Sequence, residues 1–250
     1  QYNESIYNYC IKNNISIIGL ADHGNVDKSK KLREYLSSKG ILVFPGFEIS
    51  TSEKIHIVCL FSENTEEQEL ERYLGELGLS NPEDGNSPST MSFHDITQRV
   101  IDRGGFWYAA HITSDNGVLK GKHNNLWKSD KLVAAQIPSK KNEVNPNYIN
   151  ILKNKDPNYQ KKTPFALINA KDVSKPEDLD LDTASCLIKM SKLNFESFKL
   201  AFRDPKARVK LNFDINNKYP HSSINEIKIS MGYLDNLSLD LSPNLNTIIG

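Results

Sequence analysis

Apolar positions along this chain recur in two periods, and the stretch Ile15 to Asn25, I-S-I-I-G-L-A-D-H-G-N, shows the first of them most clearly. Positions able to pack apolar surface run into an adjacent carboxylate and imidazole and then a turn, the pattern of a buried parallel strand that delivers reactive side chains to a mouth. Four further strand-like runs follow. I-L-V-F-P-G-F-E-I-S places Glu48 just beyond a Pro-Gly bend that ends the apolar run, and K-I-H-I-V-C-L-F has His56 near its start. F-W-Y-A-A-H ends on His111, and F-A-L-I-N-A-K-D ends on Asp172. K-L-V-A-A-Q-I and C-L-I-K-M read as shorter strands without such an ending.

Segments with the helical period lie between and before these strands. The first fourteen residues form an amphipathic helix with Ile6, Tyr9 or Cys10, and Ile11 inward. Lys30 to Lys39 turns Leu32, Tyr35 and Leu36 to one face, with Gly40 where a C-cap belongs. Thr65 to Leu79 is acidic and helical, and Ser92 with Asp95 opens a helix that Gly104-Gly105 closes. Helical turns are also expected around Tyr148 to Leu152 and from Asn194 to Phe202, whereas 81–90 and 113–127 are loop-like. Strand, helix, strand is the grammar of a parallel α/β sheet or barrel. Beyond Leu211 short alternating runs separated by turns predict a small antiparallel β element, so a domain boundary is placed between Arg208 and Ser222.

Composition narrows the partners only a little. The chain has 250 residues, long enough for one large α/β domain and part of another. Its 31 basic and 31 acidic residues balance, which removes any global drive toward nucleic acid or an anionic membrane and leaves local basic surface open. Cys10, Cys59 and Cys186 sit apart in apolar runs, against a disulfide framework or a cysteine zinc site. No apolar run approaches the roughly 20 residues that span a bilayer. The expectation is a cytoplasmic protein with reduced thiols.

The strand endings carry the chemistry. Asp22, His23, Glu48, His111 and Asp172, with His56, combine imidazole and carboxylate, a donor set suited to zinc, manganese or iron(II). Two such ions about 4 Å apart serve phosphoester hydrolysis, because one prepares the attacking oxygen and the other holds the leaving oxygen. His123 is a weaker candidate, close after His111, while His94 and His221 read as surface or helix residues. A serine hydrolase is unsupported, since no G-x-S-x-G occurs, and a complete phosphate-binding loop is absent.

In order along the chain, L-A-D-H-G-N, F-P-G-F-E-I-S, I-H-I-V-C-L-F and A-A-H-I resemble successive motifs of the PHP superfamily, the polymerase and histidinol phosphatase domain. The resemblance covers residues 1–208. It implies a distorted (β/α)7 TIM-like barrel with two or three metal ions at the C-terminal ends of the strands and phosphoester cleavage. His23 is then a metal ligand, Glu48 the bridging carboxylate and His111 a further ligand, with Asp22 and His56 in the same motifs. The family opens on an H-x-H strand, which is expected upstream of Gln1. Its last motif, commonly S-D-A-H, corresponds to Lys171-Asp172-Val173-Ser174, which keeps the carboxylate and carries Ser174 in place of the histidine.

The tail L-S-P-N-L-N-T-I-I-G is similar to the strand that enters the Walker A loop of ABC- and SMC-like ATPases, so that Gly250 is the first glycine of a nucleotide-binding loop. Residues 222–250 are accordingly expected to begin such an ATPase domain. The whole resembles the TrlF-type group, in which a PHP domain precedes an ATPase. That resemblance implies a nuclease on DNA or RNA, coupled to ATP and Mg, assembled as a homo-oligomer through the ATPase and tied to antiviral defence. Two alternatives remain open: a catalytically degenerate PHP module that regulates the ATPase, and a small-molecule phosphatase of histidinol-phosphatase type.

Overall fold

The computed structural model describes residues 1–79, 87–214, 224 and 226–240. The chain divides into two compact units, Gln1–Ile215 and Asn216–Gly250. The first begins with α1 (Tyr2–Lys12), which buries Ile6 and Cys10 and leaves Ile11 exposed. A six-stranded sheet follows in the sequential order β1 (Ile17–His23), β2 (Leu42–Ser50), β3 (His56–Leu60), β4 (Phe106–Ala109), β5 (Ala134–Gln136) and β6 (Ala166–Ile168). The architecture is therefore mixed α/β with a mostly parallel sheet: β3 alone runs antiparallel to its neighbours.

Local chemistry explains most elements. The helix α2 (Lys30–Ser38) carries β1 over to β2, and Gly40 at φ +85° closes it, a backbone that a side chain would strain. Helices α3 (Glu67–Glu76) and α4 (Phe93–Asp102) lie between β3 and β4. Ser92 caps α4 by accepting the Asp95 N–H at 3.2 Å. Two short helices, α5 (Asn124–Trp127) and α6 (Pro146–Leu152), complete the connections as far as β6. After it come β7 (Cys186–Ile188), α7 (Phe195–Ala201), α8 (Pro205–Arg208) and β8 (Val209–Leu211), with β7 and β8 paired antiparallel.

Two expectations about strands need correction. Pro45-Gly46 does not end the apolar run; β2 continues through it to Ser50, so Glu48 stands inside a strand. Pro45 gives up an N–H, but its carbonyl accepts from Phe61 N at 2.9 Å, so β2 stays tied to the neighbouring chain through the proline. At Gly46 a Cβ would lie 2.1 Å from the Cys59 carbonyl oxygen, so the glycine serves close strand approach rather than a bend. Likewise β6 stops at Ile168, and Asp172 lies in the irregular chain beyond it.

Strand alternation sorts side chains onto two faces. One carries Phe47, Ile49, Ile57, Cys59, Trp107 and Ala135 into a core with α3 and α4. The other carries Phe44, Val58, Leu60, Phe106, Ala134 and Ile168 against Phe195, Phe198 and Phe202. Phe44 meets Phe195 and Phe198 with ring centroids 5.0 Å from each, an aromatic seam that anchors α7 beneath this second face. At one end of the face the apolar residues give way to polar ones.

In the second unit β9 (Glu226–Ile229) and β10 (Leu237–Asp240) pair antiparallel. The expected nucleotide-loop residue Gly250 and the rest of the 241–250 tail lie outside the described residues, as does His221.

Candidate metal centre

Register brings the first two side chains together. In the parallel ladder His23 pairs with Glu48, so both side chains leave the same face, and Nε2 of His23 stands 3.3 Å from Oε1 of Glu48. His56 arrives from the other side. Because β3 is antiparallel, its first residue lies at the end where β2 finishes, opposite Ser50 and diagonal to Glu48. Its Nδ1 is 2.7 Å from the same Oε1. A histidine at the start of a strand thus joins residues at the ends of others.

His111 reaches the site by a backbone exception. Ala110 donates its N–H to the His56 carbonyl at 3.1 Å, so regular alternation would send His111 to the opposite face. Instead His111 has φ +25°, which turns its ring back until Nε2 is 3.3 Å from Glu48 Oε1. A positive φ in a non-glycine residue costs about 1–3 kcal/mol and is kept only where the surroundings hold it. The holding group is Gln136, the last residue of β5, whose Oε1 accepts the His111 N–H at 2.9 Å.

Three imidazole nitrogens, from β1, from β3 and from the turn after β4, therefore converge on one carboxylate oxygen of a residue only 3 % exposed. Burial by itself pushes the Glu48 carboxyl up, but the hydrogen bonds from His111, His23 and His56 outweigh it and hold the group far below the usual carboxylate range. The same contacts raise His23 and His111, each first through its hydrogen bond to Glu48 and against partial desolvation. Asp172 contributes to both shifts and Asp22 to that of His23, so both carboxylates belong to the electrostatic surroundings of the cluster. Neither is among the groups touching Glu48.

The donor set fits a divalent ion. Ligand atoms of His23, Glu48 and His56 lie within 4.8 Å of one another, close enough for one ion to engage all three. The Nδ1 of His111 is buried and has no hydrogen-bond partner among the described residues. His23, Glu48 and Asp172 also line a cavity of about 1180 Å³, together with Tyr108 and Lys171. Its volume admits a sizeable substrate beside His23.

Comparison with known proteins adds only distant likeness. No family model matches the chain. An uncharacterized protein of Streptococcus pneumoniae serotype 4 is 28% identical over 123 residues, so the chain spans under half, 45%, of that relative's length. The crystal structure of PsfC from Pseudomonas syringae PB-5123 aligns with a TM-score of 0.36 at 15% identity, covering 58% of this chain and 60% of that one.

The other candidates lie elsewhere. His123 stands at the N-terminal end of the short helix α5 without a side-chain capping bond and lies against Gly121, and His94 is exposed on α4. The backbone N–H of Ser174 donates to the Asp178 carboxylate at 2.9 Å, tying the segment after Asp172 into a short 3-10 turn, Pro176–Asp180. Two residues emerge from the geometry that the motifs do not contain. Asn116, at φ +61°, sits 3.2 Å from Nε2 of His56 through its side-chain nitrogen and accepts the His56 N–H at 2.9 Å through its carbonyl. Gln136 is the other, and its only trace in the sequence is a polar residue near the end of an apolar strand. Cysteine chemistry is remote: burial pushes the Cys10 and Cys186 thiols up to about 11. No helix among the described residues is long and apolar enough to cross a membrane.

Proposed function

We propose that the first unit is a metal-dependent phosphoester hydrolase of PHP type, acting as a nuclease on DNA or RNA. The observation that carries the reading is the convergence of His23, His56 and His111 on the buried Glu48 oxygen. His23, Glu48, His56 and His111 would hold the ions, with Asp172 of the cavity lining completing the set and Asp22 adding negative potential. A bound divalent ion supplies Lewis acidity, making water a nucleophile near neutral pH and drawing charge from a phosphoryl oxygen.

The chain's own residues do the remaining work. Glu48 stays ionised in a buried setting and presents a fixed acceptor, so the imidazoles need no large rearrangement to take an ion. His23, partly exposed at the cavity edge, would present its imidazole to an ion that also faces the substrate. Lys171 lines the same cavity and suits an anionic substrate. The coupling to an ATPase, with ATP, Mg and homo-oligomer formation, rests on the tail resemblance around Gly250.

The test uses the full-length protein with DNA, RNA and small phosphate esters in manganese or zinc, beside Glu48→Ala. Cleavage of nucleic acid by the parent alone supports the reading; equal cleavage by both proteins sinks it. Preferential turnover of the small esters would favour a small-molecule phosphatase. Ser174, where the family keeps a histidine, motivates a second reading, a degenerate module that serves the ATPase without chemistry. That version requires purified protein without stoichiometric transition metal.

A further inference from the structure

We infer that Gln136 is a positioning residue that sets the His111 and Asp172 side of the centre as one unit, an inference that rests on the metal-centre reading above. Gln136 is buried at the end of β5, between β4 and β6, and Ala134 before it faces the same side of the sheet as the cluster. Its side chain spans the two neighbouring strand ends. Oε1 accepts the His111 N–H at 2.9 Å, and Nε2 donates to the Ala170 carbonyl at 2.7 Å. Its backbone carbonyl adds a bond from Ile112 N at 3.1 Å.

Those partners fix the amide's orientation, because an N–H needs the oxygen and a carbonyl needs the NH2. Only a residue with an acceptor and a donor at the end of this reach serves both. The bond to His111 falls on the residue whose φ of +25° turns the ring toward Glu48. The bond to Ala170 falls just before Asp172, which β6 has already left behind. Each contact therefore restrains a segment that strand pairing does not.

The inference separates two substitutions. Gln136→Met fills similar volume and loses both bonds, whereas Gln136→Glu keeps the acceptor for His111 and loses the donor to Ala170. Full-length parent and both variants are titrated with zinc alone by calorimetry, and the histidine ring nitrogens of the metal-free proteins are followed by NMR. Expected are a roughly tenfold to hundredfold loss of zinc affinity in Gln136→Met and a smaller loss in Gln136→Glu. The His111 ring signals move in Gln136→Met and stay in Gln136→Glu, while those of His23 hold in both.

Unchanged zinc affinity together with an unchanged His111 ring in Gln136→Met overturns the inference, even if that variant melts earlier. A parent that takes up no zinc overturns the metal-centre reading instead, and the His111 ring then decides the role of Gln136 by itself. Should Gln136→Met fail to fold, hydrogen exchange in the parent decides: a His111 amide that exchanges like an exposed one refutes the clamp.

Discussion

His23 and Glu48 face each other across a parallel ladder, and the backbone pairing that builds β1 and β2 also sets their distance. Asp172 is held differently. It follows the three-residue strand β6, in a segment secured by Gln136 on one side and by the Ser174 to Asp178 hydrogen bond on the other. The first pair cannot drift without breaking a sheet, whereas the second region depends on a few side-chain bonds and a long backbone bond from Lys171 N to the Thr183 carbonyl at 3.3 Å. One half of the centre is thus preorganised by strand register, and the other is adjustable.

The sharpest way to break this comparison is to remove its hub. Glu48→Gln should abolish tight binding of the first ion, a loss of at least about a hundredfold in zinc affinity by calorimetry. It should also destabilise the metal-free protein by about 1–3 kcal/mol in urea unfolding, because the imidazoles exchange a charged acceptor for a neutral amide oxygen. Retained zinc affinity would mean that the ladder half is not the ligand set.

Gly46→Ala attacks the ladder itself. A Cβ 2.1 Å from the Cys59 carbonyl must push β2 from β3, so destabilisation of about 3 kcal/mol or more is expected, with loss of the His56 to Glu48 contact. A stable variant with wild-type zinc affinity would show that register is not what places Glu48.

Acidity distinguishes the metal-free state from the loaded one. His23 and His111 have raised values in the fold, so the stability they contribute is complete below about 6.5 and is lost as pH rises through their raised values. The Glu48 contribution has the opposite sign, present above the ordinary carboxylate range and lost only in strong acid. Metal-free protein should therefore melt lower at pH 8.5 than at pH 6, while zinc affinity rises over the same interval because imidazoles must shed protons to bind. Calorimetric scans with and without chelator check both signs.

The adjustable half should respond least. Asp172→Asn is expected to weaken zinc binding by about tenfold and to leave the melting temperature within a degree or two, since Asp172 is exposed. An effect as large as that of Glu48→Gln would erase the distinction between the halves.

Much of this arrangement was readable in the chain. The strand ending at His23, the helix between β1 and β2, and the Ser92 cap follow from periodicity and local hydrogen-bonding chemistry, whereas β4 stops at Ala109 and His111 lies in the turn beyond it. Pro45-Gly46 misled because the same pair that ends a strand in isolation permits a close approach when a neighbour's carbonyl lies against it. The strand β8, three residues at the end of a basic stretch, gave no periodic signal. Asn116 and Gln136 could not be found by motif, since their roles are defined by partners tens of residues away.

The sequence by itself determined which residues carry donor atoms and that they stand in or close to apolar strand-like runs, because alternation and turn residues act over a few neighbouring positions. Only the tertiary structure decided that β3 runs backwards, which brings His56 to Glu48, and that His111 twists to a positive φ under the hold of Gln136. Both depend on contacts between segments distant in the chain, where strand direction and backbone strain are settled by packing rather than by local preference.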